Sequence, residues 1–270
     1  MIEALFEYTF LRNAVISSLI ASIVCGIIGT IIVEKKLVSM SGGIAHTSFG
    51  GIGLGYLLGF EPIIGGLVFA VIAALSISKI RRETKTKSDT LIGMFWAVGM
   101  ALGILFISMS SGYQPDMTSY LFGDILTVST SYIKIMSLLG FIIVLIISAG
   151  FNYWKAYLFD EEYLKVMGVN VVRLEYLLFI LVSLSIVILI KVAGIILAIA
   201  LLTIPPAISK LFTKDLKKIM VLSIIFGILL SFSGLYISYT FNIPSGSTII
   251  LVAVTVFLLT SLFIRKSKLE

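Results

Sequence analysis

The chain has 270 residues, 59% of them hydrophobic and only 13% charged, with a mean hydropathy of +1.14. Soluble domains run near 25% charged, so this composition excludes a soluble enzyme or binding module and predicts an all-α, polytopic membrane protein. The net charge of +6 would suggest nucleic acid only in a soluble chain; here it has to be sorted by loop.

A membrane helix needs about 20 apolar residues, and nine such segments follow one another in a single transmembrane domain over 1–270. They lie near 13–33, 37–60, 62–79, 91–110, 129–151, 174–190, 193–209, 219–239 and 248–264. The N-terminal MIEALFEYTFLRN is acidic where a secretory signal would be basic, so the first segment is expected to be retained. It contains Cys25, the one cysteine of the chain, which permits no intrachain disulfide.

The second segment, SMSGGIAHTSFGGIGLGYLLGF, holds the one histidine, His46. At 100° per residue Gly42, His46, Gly50 and Gly53 share an arc of about 80°, whereas Gly51, Gly55 and Gly59 line the opposite side. The latter stripe is expected to pack closely against a neighbouring helix. The former leaves room beside the imidazole and is expected to line a substrate pathway. His46 lies about 15 Å from the inner end of this helix, near mid-membrane. An ionisable residue there is a functional candidate, and neutral imidazole is a common ligand of transition metals.

Further along, Asp124 stands at the expected outer mouth before the fifth span, where a helix cap and a metal-capture group are equally good readings. The longest inner connection, about 153–173, contains DEEYLKVMGVNV. Asp160, Glu161 and Glu162 suit the start of a short amphipathic helix, Tyr163 and Met167 belong to its apolar side, and Gly168 is placed to end it. The run 176–209 is too long for one span and is divided at Lys191; leaving it undivided gives eight. Pro205 and Pro206 are expected to break the seventh span.

With nine spans and the N-terminus outside, 17 of the 20 Lys and Arg residues fall at inner ends and loops, leaving Arg12, Lys134 and Lys191 outside. This positive-inside pattern puts the C-terminus in the cytoplasm, explains the basic charge by orientation and implies no nucleic-acid partner.

Residues 39–59, SYLFGDIL at 119–126, the run at 160–171 and VAGIILAIALLTIPPAISKLF at 192–212 together resemble the permease subunits of ATP-binding-cassette importers for zinc, manganese and iron. The resemblance implies a plasma-membrane homodimer, two copies of a separate ATPase that binds the ATP, and an extracytoplasmic metal-binding protein. It also implies that residues near 160–168 dock on the ATPase and that the ion is cargo, with no cofactor resident in this chain. In that family the helix matching the second span carries an aspartate one turn before the histidine, and the two help hold the metal. Here the histidine is kept as His46, but Gly42 stands in the aspartate's place. No phosphate-binding G-x-x-x-x-G-K-[ST] is present, so ATP hydrolysis belongs to another chain. A permease for a chelated metal or corrinoid, or a self-gated cation channel, is the alternative. An intramembrane enzyme is disfavoured by the lone imidazole and the absence of HExxH.

Overall fold

A computed structural model describes residues 8–84, 88–110, 121, 123 and 125–267. Among them ten α-helices and one short 3-10 turn are found, and no strand. The helices are α1 Thr9–Glu34, α2 Val38–Leu58, α3 Pro62–Thr84, α4 Ser88–Met109, α5 Thr130–Ala149, α6 Phe151–Phe159, α7 Glu161–Val166, α8 Val171–Phe212, α9 Leu216–Phe241 and α10 Ser245–Ser267. Seven of these are long and apolar enough to cross a membrane: α1, α3, α4, α5, α8, α9 and α10. Helix α2 falls short because glycine, serine and threonine dilute its hydropathy. It is nonetheless buried at every residue from Met40 to Gly53.

Helix α8 has 42 residues, which at 1.5 Å each would span about 63 Å. Its ladder is interrupted at Gly194, with φ 71° and ψ 170°, a region open essentially to glycine alone. The division expected at Lys191 therefore falls three residues later, because the backbone breaks where a side chain is missing. The break expected at Pro205 and Pro206 is not found; both stand inside the helix. Each proline removes a donor to the carbonyl four residues back, at Leu201 and Leu202. Gly29 of α1 packs its backbone against the Leu202 carbonyl, and the Ser209 hydroxyl donates to Pro205 O at 2.8 Å. The helix continues through both prolines, and the absence of a Cβ at Gly29 lets α1 approach closely at Leu202.

The chain forms two compact units. One comprises residues Met1–Glu34, Thr118–Ala149 and Leu189–Glu270. In it α1 packs on α9, with Gly26 against Ile224 and Gly227 against Ser22. The Thr30 and Ser223 hydroxyls meet at 3.3 Å, and Ser223 donates onward to Ser209 at 3.1 Å. Helix α10 joins through Ile208, Leu230 and Ala253. At the end of α1, Glu34 pairs with Lys210 at 3.0 Å.

The other unit comprises Lys35–Met117 and Gly150–Ile188. Helix α2 lies against both α3 and α4. A Cβ on Gly51 would run into the Gly65 backbone, and one on Gly55 would lie 2.6 Å from the Cα of Pro62. The small-residue stripe at Gly51 and Gly55 is therefore an interhelical contact, as expected, while Gly59 is the left-handed cap of α2. Buried Glu175 accepts from Ser78 at 2.9 Å and pairs with Arg82. The Ser183 hydroxyl donates to Ala70 O at 3.2 Å. The 153–173 segment is helical in two pieces, α6 and α7, seated by buried Trp154, Tyr157 and Leu164. Burying a leucine-sized side chain contributes about 1.5–3 kcal/mol.

Candidate functional site

Helix α2 delivers His46 to the interior of its unit, where it is 8% exposed. The imidazole lies almost parallel to the indole of Trp96 on α4, with ring centroids 3.9 Å apart and planes inclined by 8°. One polar contact ties the two helices at this level: the Thr47 hydroxyl, which also donates to Gly43 O of its own helix at 2.7 Å, donates to Phe95 O at 3.0 Å. Gly99, one turn above Trp96, has its Cα pressed against the backbone at Thr47. The Nδ1 atom of His46 is buried and has no hydrogen-bond partner among the described residues. A buried nitrogen without a partner costs about 1–3 kcal/mol, a cost that a bound electrophile would remove.

Gly42 is buried one turn before His46, on the same side of the helix. No carboxylate therefore stands at that place on α2. Gly50 and Gly53, expected to line an open path, stand against neighbouring helices, Gly50 against α3 and α4 and Gly53 against α4. A Cβ on Gly50 would meet the Gly99 carbonyl at 3.0 Å and the Phe69 ring at 3.1 Å, and one on Gly53 would lie 2.6 Å from the Gly103 carbonyl. In this structure both glycines serve close helix packing, because the arc they share with His46 is filled by the neighbouring backbone. Asp124 lies outside the described residues. Among the described residues no group of three or more His, Cys, Asp or Glu side chains is gathered as a metal site.

The second candidate region is α7. Asp160 caps it, its carboxylate accepting from the Tyr163 amide at 3.0 Å, and Gly168 follows with φ +75°. Leu164 points inward, whereas Tyr163, Val166 and Met167 are exposed. Glu161 is held by the Lys35 ammonium, which also donates to Tyr157 O at 2.8 Å and lies 4.0 Å from the Tyr157 ring. Glu162 is exposed. Sequence reasoning missed Trp96 and the Lys35–Glu161 pair. Residues 50 or more positions apart give no periodic signal, and only the aromatic in the middle of GMFWAVGM hinted at the first.

The family model described as "ABC 3 transport family" matches residues 7–264. The membrane protein slr2045 of Synechocystis is 40% identical over 98% of this chain and 94% of its own. The manganese transport system membrane protein MntC of Listeria monocytogenes is 34% identical over 99% of this chain and 95% of its own. Among solved structures, PsaBC from Streptococcus pneumoniae in complex with Fab superposes with a TM-score of 0.87 at 36% identity, covering 96% of this chain and 93% of that one.

Proposed function

The chain belongs to the ABC 3 transport family, and from that membership we infer its function: it is the membrane permease subunit of a metal-ion importer of the ATP-binding-cassette class. It is a multi-pass membrane protein and a transport subunit, with ATP hydrolysed elsewhere. Manganese is the ion we assign to it, following the relatives named for manganese transport.

The finer picture is our reading. The chain crosses the membrane nine times, with α2 and the two arms of α8 on either side of Gly194 added to the six other long apolar helices. The N-terminus is outside and the C-terminus inside, following the asymmetry of Lys and Arg. Two copies associate, an extracytoplasmic binding protein delivers the ion, and a separate ATPase docks on the segment 153–173. The exposed Tyr163, Val166 and Met167 at the end of α7 suit such a dock, as does the acidic start of that helix. ATP-driven movement of this segment would switch the site around His46 between outward and inward access.

The observation that carries the metal site is the buried His46 Nδ1 without a partner. With Gly42 in place of a carboxylate, the site has one anionic ligand fewer. It would use backbone carbonyls, water or Asp124, a residue outside the described ones, to complete the ion's shell. The mechanism needs no covalent step, only a nitrogen that binds well enough to capture and loosely enough to release. Uptake of Mn²⁺ into proteoliposomes with the partner subunits tests this. His46→Ala abolishes uptake while leaving insertion and ATPase association intact, and Gly42→Asp tightens binding and slows release. Normal transport by His46→Ala makes the histidine a packing residue.

A further inference from the structure

We propose that Trp96 is a positioning residue of the metal site: its indole holds the His46 ring in a fixed plane and stabilises that ring when a divalent ion is bound to it. This rests on His46 being a ligand of the transported ion.

The geometry comes first. Centroids 3.9 Å apart with planes 8° from parallel mean that the indole is stacked on one face of the imidazole. Aromatic pairs usually stack offset, with centroids 4.5–7 Å apart, so this pair is unusually close. The closeness is imposed from outside the rings. Thr47, next to His46, donates to the carbonyl of Phe95, next to Trp96. One turn on either side, Gly43 abuts Ile92 and Gly99 abuts Thr47. The two helices are thus locked at the level of the pair, and the imidazole has little freedom to turn about its χ2.

The chemistry follows from that placement. A metal binds imidazole in the ring plane, along a nitrogen lone pair, and the indole, stacked on a face, stands in neither of those directions. A divalent ion draws electron density from the ring, which then carries positive charge against the electron-rich indole face. The attraction is of the cation–π kind and strengthens only when the ion is present. Trp96 is 44% exposed, so its role is not that of a core filler. Where a carboxylate one turn before the histidine would add a full negative charge, Gly42 adds none. The indole supplies a weaker stabilisation that sets orientation without adding a ligand, which suits a site that must let its ion go.

The test uses the full chain in nanodiscs with Mn²⁺ alone, binding being followed by the electron paramagnetic resonance of free Mn²⁺ and by tryptophan emission, which paramagnetic Mn²⁺ quenches at short range. The chain has two tryptophans, so emission quenched in the parent but not in Trp96→Phe belongs to Trp96. Saturable binding lost in His46→Ala is expected, together with saturable quenching. Trp96→Leu is expected to weaken binding roughly three- to thirtyfold, and Trp96→Phe, which keeps an aromatic face, to recover most of that loss. Adding Trp96→Leu to His46→Ala should change nothing more. If binding depends on His46 but Trp96→Leu binds as the parent does, or the bound ion leaves Trp96 emission unaltered, the positioning role is overturned and the metal site stands. If the parent shows no His46-dependent binding, both fall.

Discussion

The glycines of α2 allow a sharp test of whether their face is a path or a packing surface. A Cβ on Gly53 would lie 2.6 Å from the Gly103 carbonyl oxygen and 2.9 Å from its Cα. Both are backbone atoms, which cannot turn aside as a side chain can. To reach ordinary contact beginning at 3.4 Å, α2 and α4 must part by roughly 0.8 Å, loosening the interface that also holds His46 against Trp96. Overpacking of this kind costs about 1–3 kcal/mol, which for a chain of this size lowers the unfolding midpoint by roughly 2–10 °C. The matched control is Gly93→Ala on α4, where nothing lies within 4 Å of the new methyl. Relief of glycine's backbone entropy makes that change neutral or stabilising by about 0.5–1 kcal/mol. Thermal unfolding of the purified protein in detergent, read beside Mn²⁺ uptake, checks both. A Gly53→Ala protein as stable as the parent but altered in transport would refute the packing argument and restore the face as a conduit.

Gly194→Ala places a side chain at φ 71°, ψ 170° and is expected to cost about 1–3 kcal/mol, seen as a lowered unfolding midpoint; an unchanged midpoint would mean that the helix is continuous there. Glu161→Lys breaks the pair with Lys35 and so disturbs α7 from within, whereas Glu162→Lys leaves that pair intact. Loss of ATPase co-purification in Glu162→Lys alone therefore isolates docking, and full co-purification in the double reversal would remove α7 as the dock. Glu175→Ala leaves Arg82 and Ser78 without their shared acceptor and is expected to destabilise by about 1–3 kcal/mol, measured by thermal unfolding. In a Cys25→Ser background, Glu61→Cys should react with an impermeant thiol reagent from outside and Lys214→Cys only from inside; the reverse pattern would invert the topology.

The helical membrane architecture was legible because composition and run length report directly on the solvent a segment needs. Helix α7 was legible to its ends because its stop and start signals are local: Asp160 bonds an amide three residues on, and Gly168 takes the left-handed turn itself. The stripe at Gly51 and Gly55 was legible for the same reason, its partner being the adjacent helix across a short turn. What Gly50 and Gly53 stand against was not legible, because periodicity tells which residues share a side, not what stands opposite. Proline at 205 and 206 suggested a break that the structure lacks, both standing inside a helix that Gly29, more than 170 residues away, packs against at Leu202. The stacking of Trp96 on His46 and the pairing of Glu175 with Arg82 depend on contacts between separate helices, and no local pattern encodes them.

The nesting of the two units has a consequence for how the protein is made. The unit containing His46 is bounded by residues 35 and 188, whereas the other unit begins before residue 35 and is completed only by the segment from 189 onward. During synthesis the inner unit has all its parts first, when Glu175 has met Arg82 and Ser183 has met Ala70. Helix α1 must meanwhile wait in the membrane for α9, whose Ile224 and Gly227 pack on Gly26 and Ser22. Glu34, the last residue of α1, waits as well, since Lys210 lies 176 positions later. Once residue 188 has left the ribosome, the unit containing His46 has all its residues while the other does not, so His46 is set in place before the segments that flank its unit in sequence are complete.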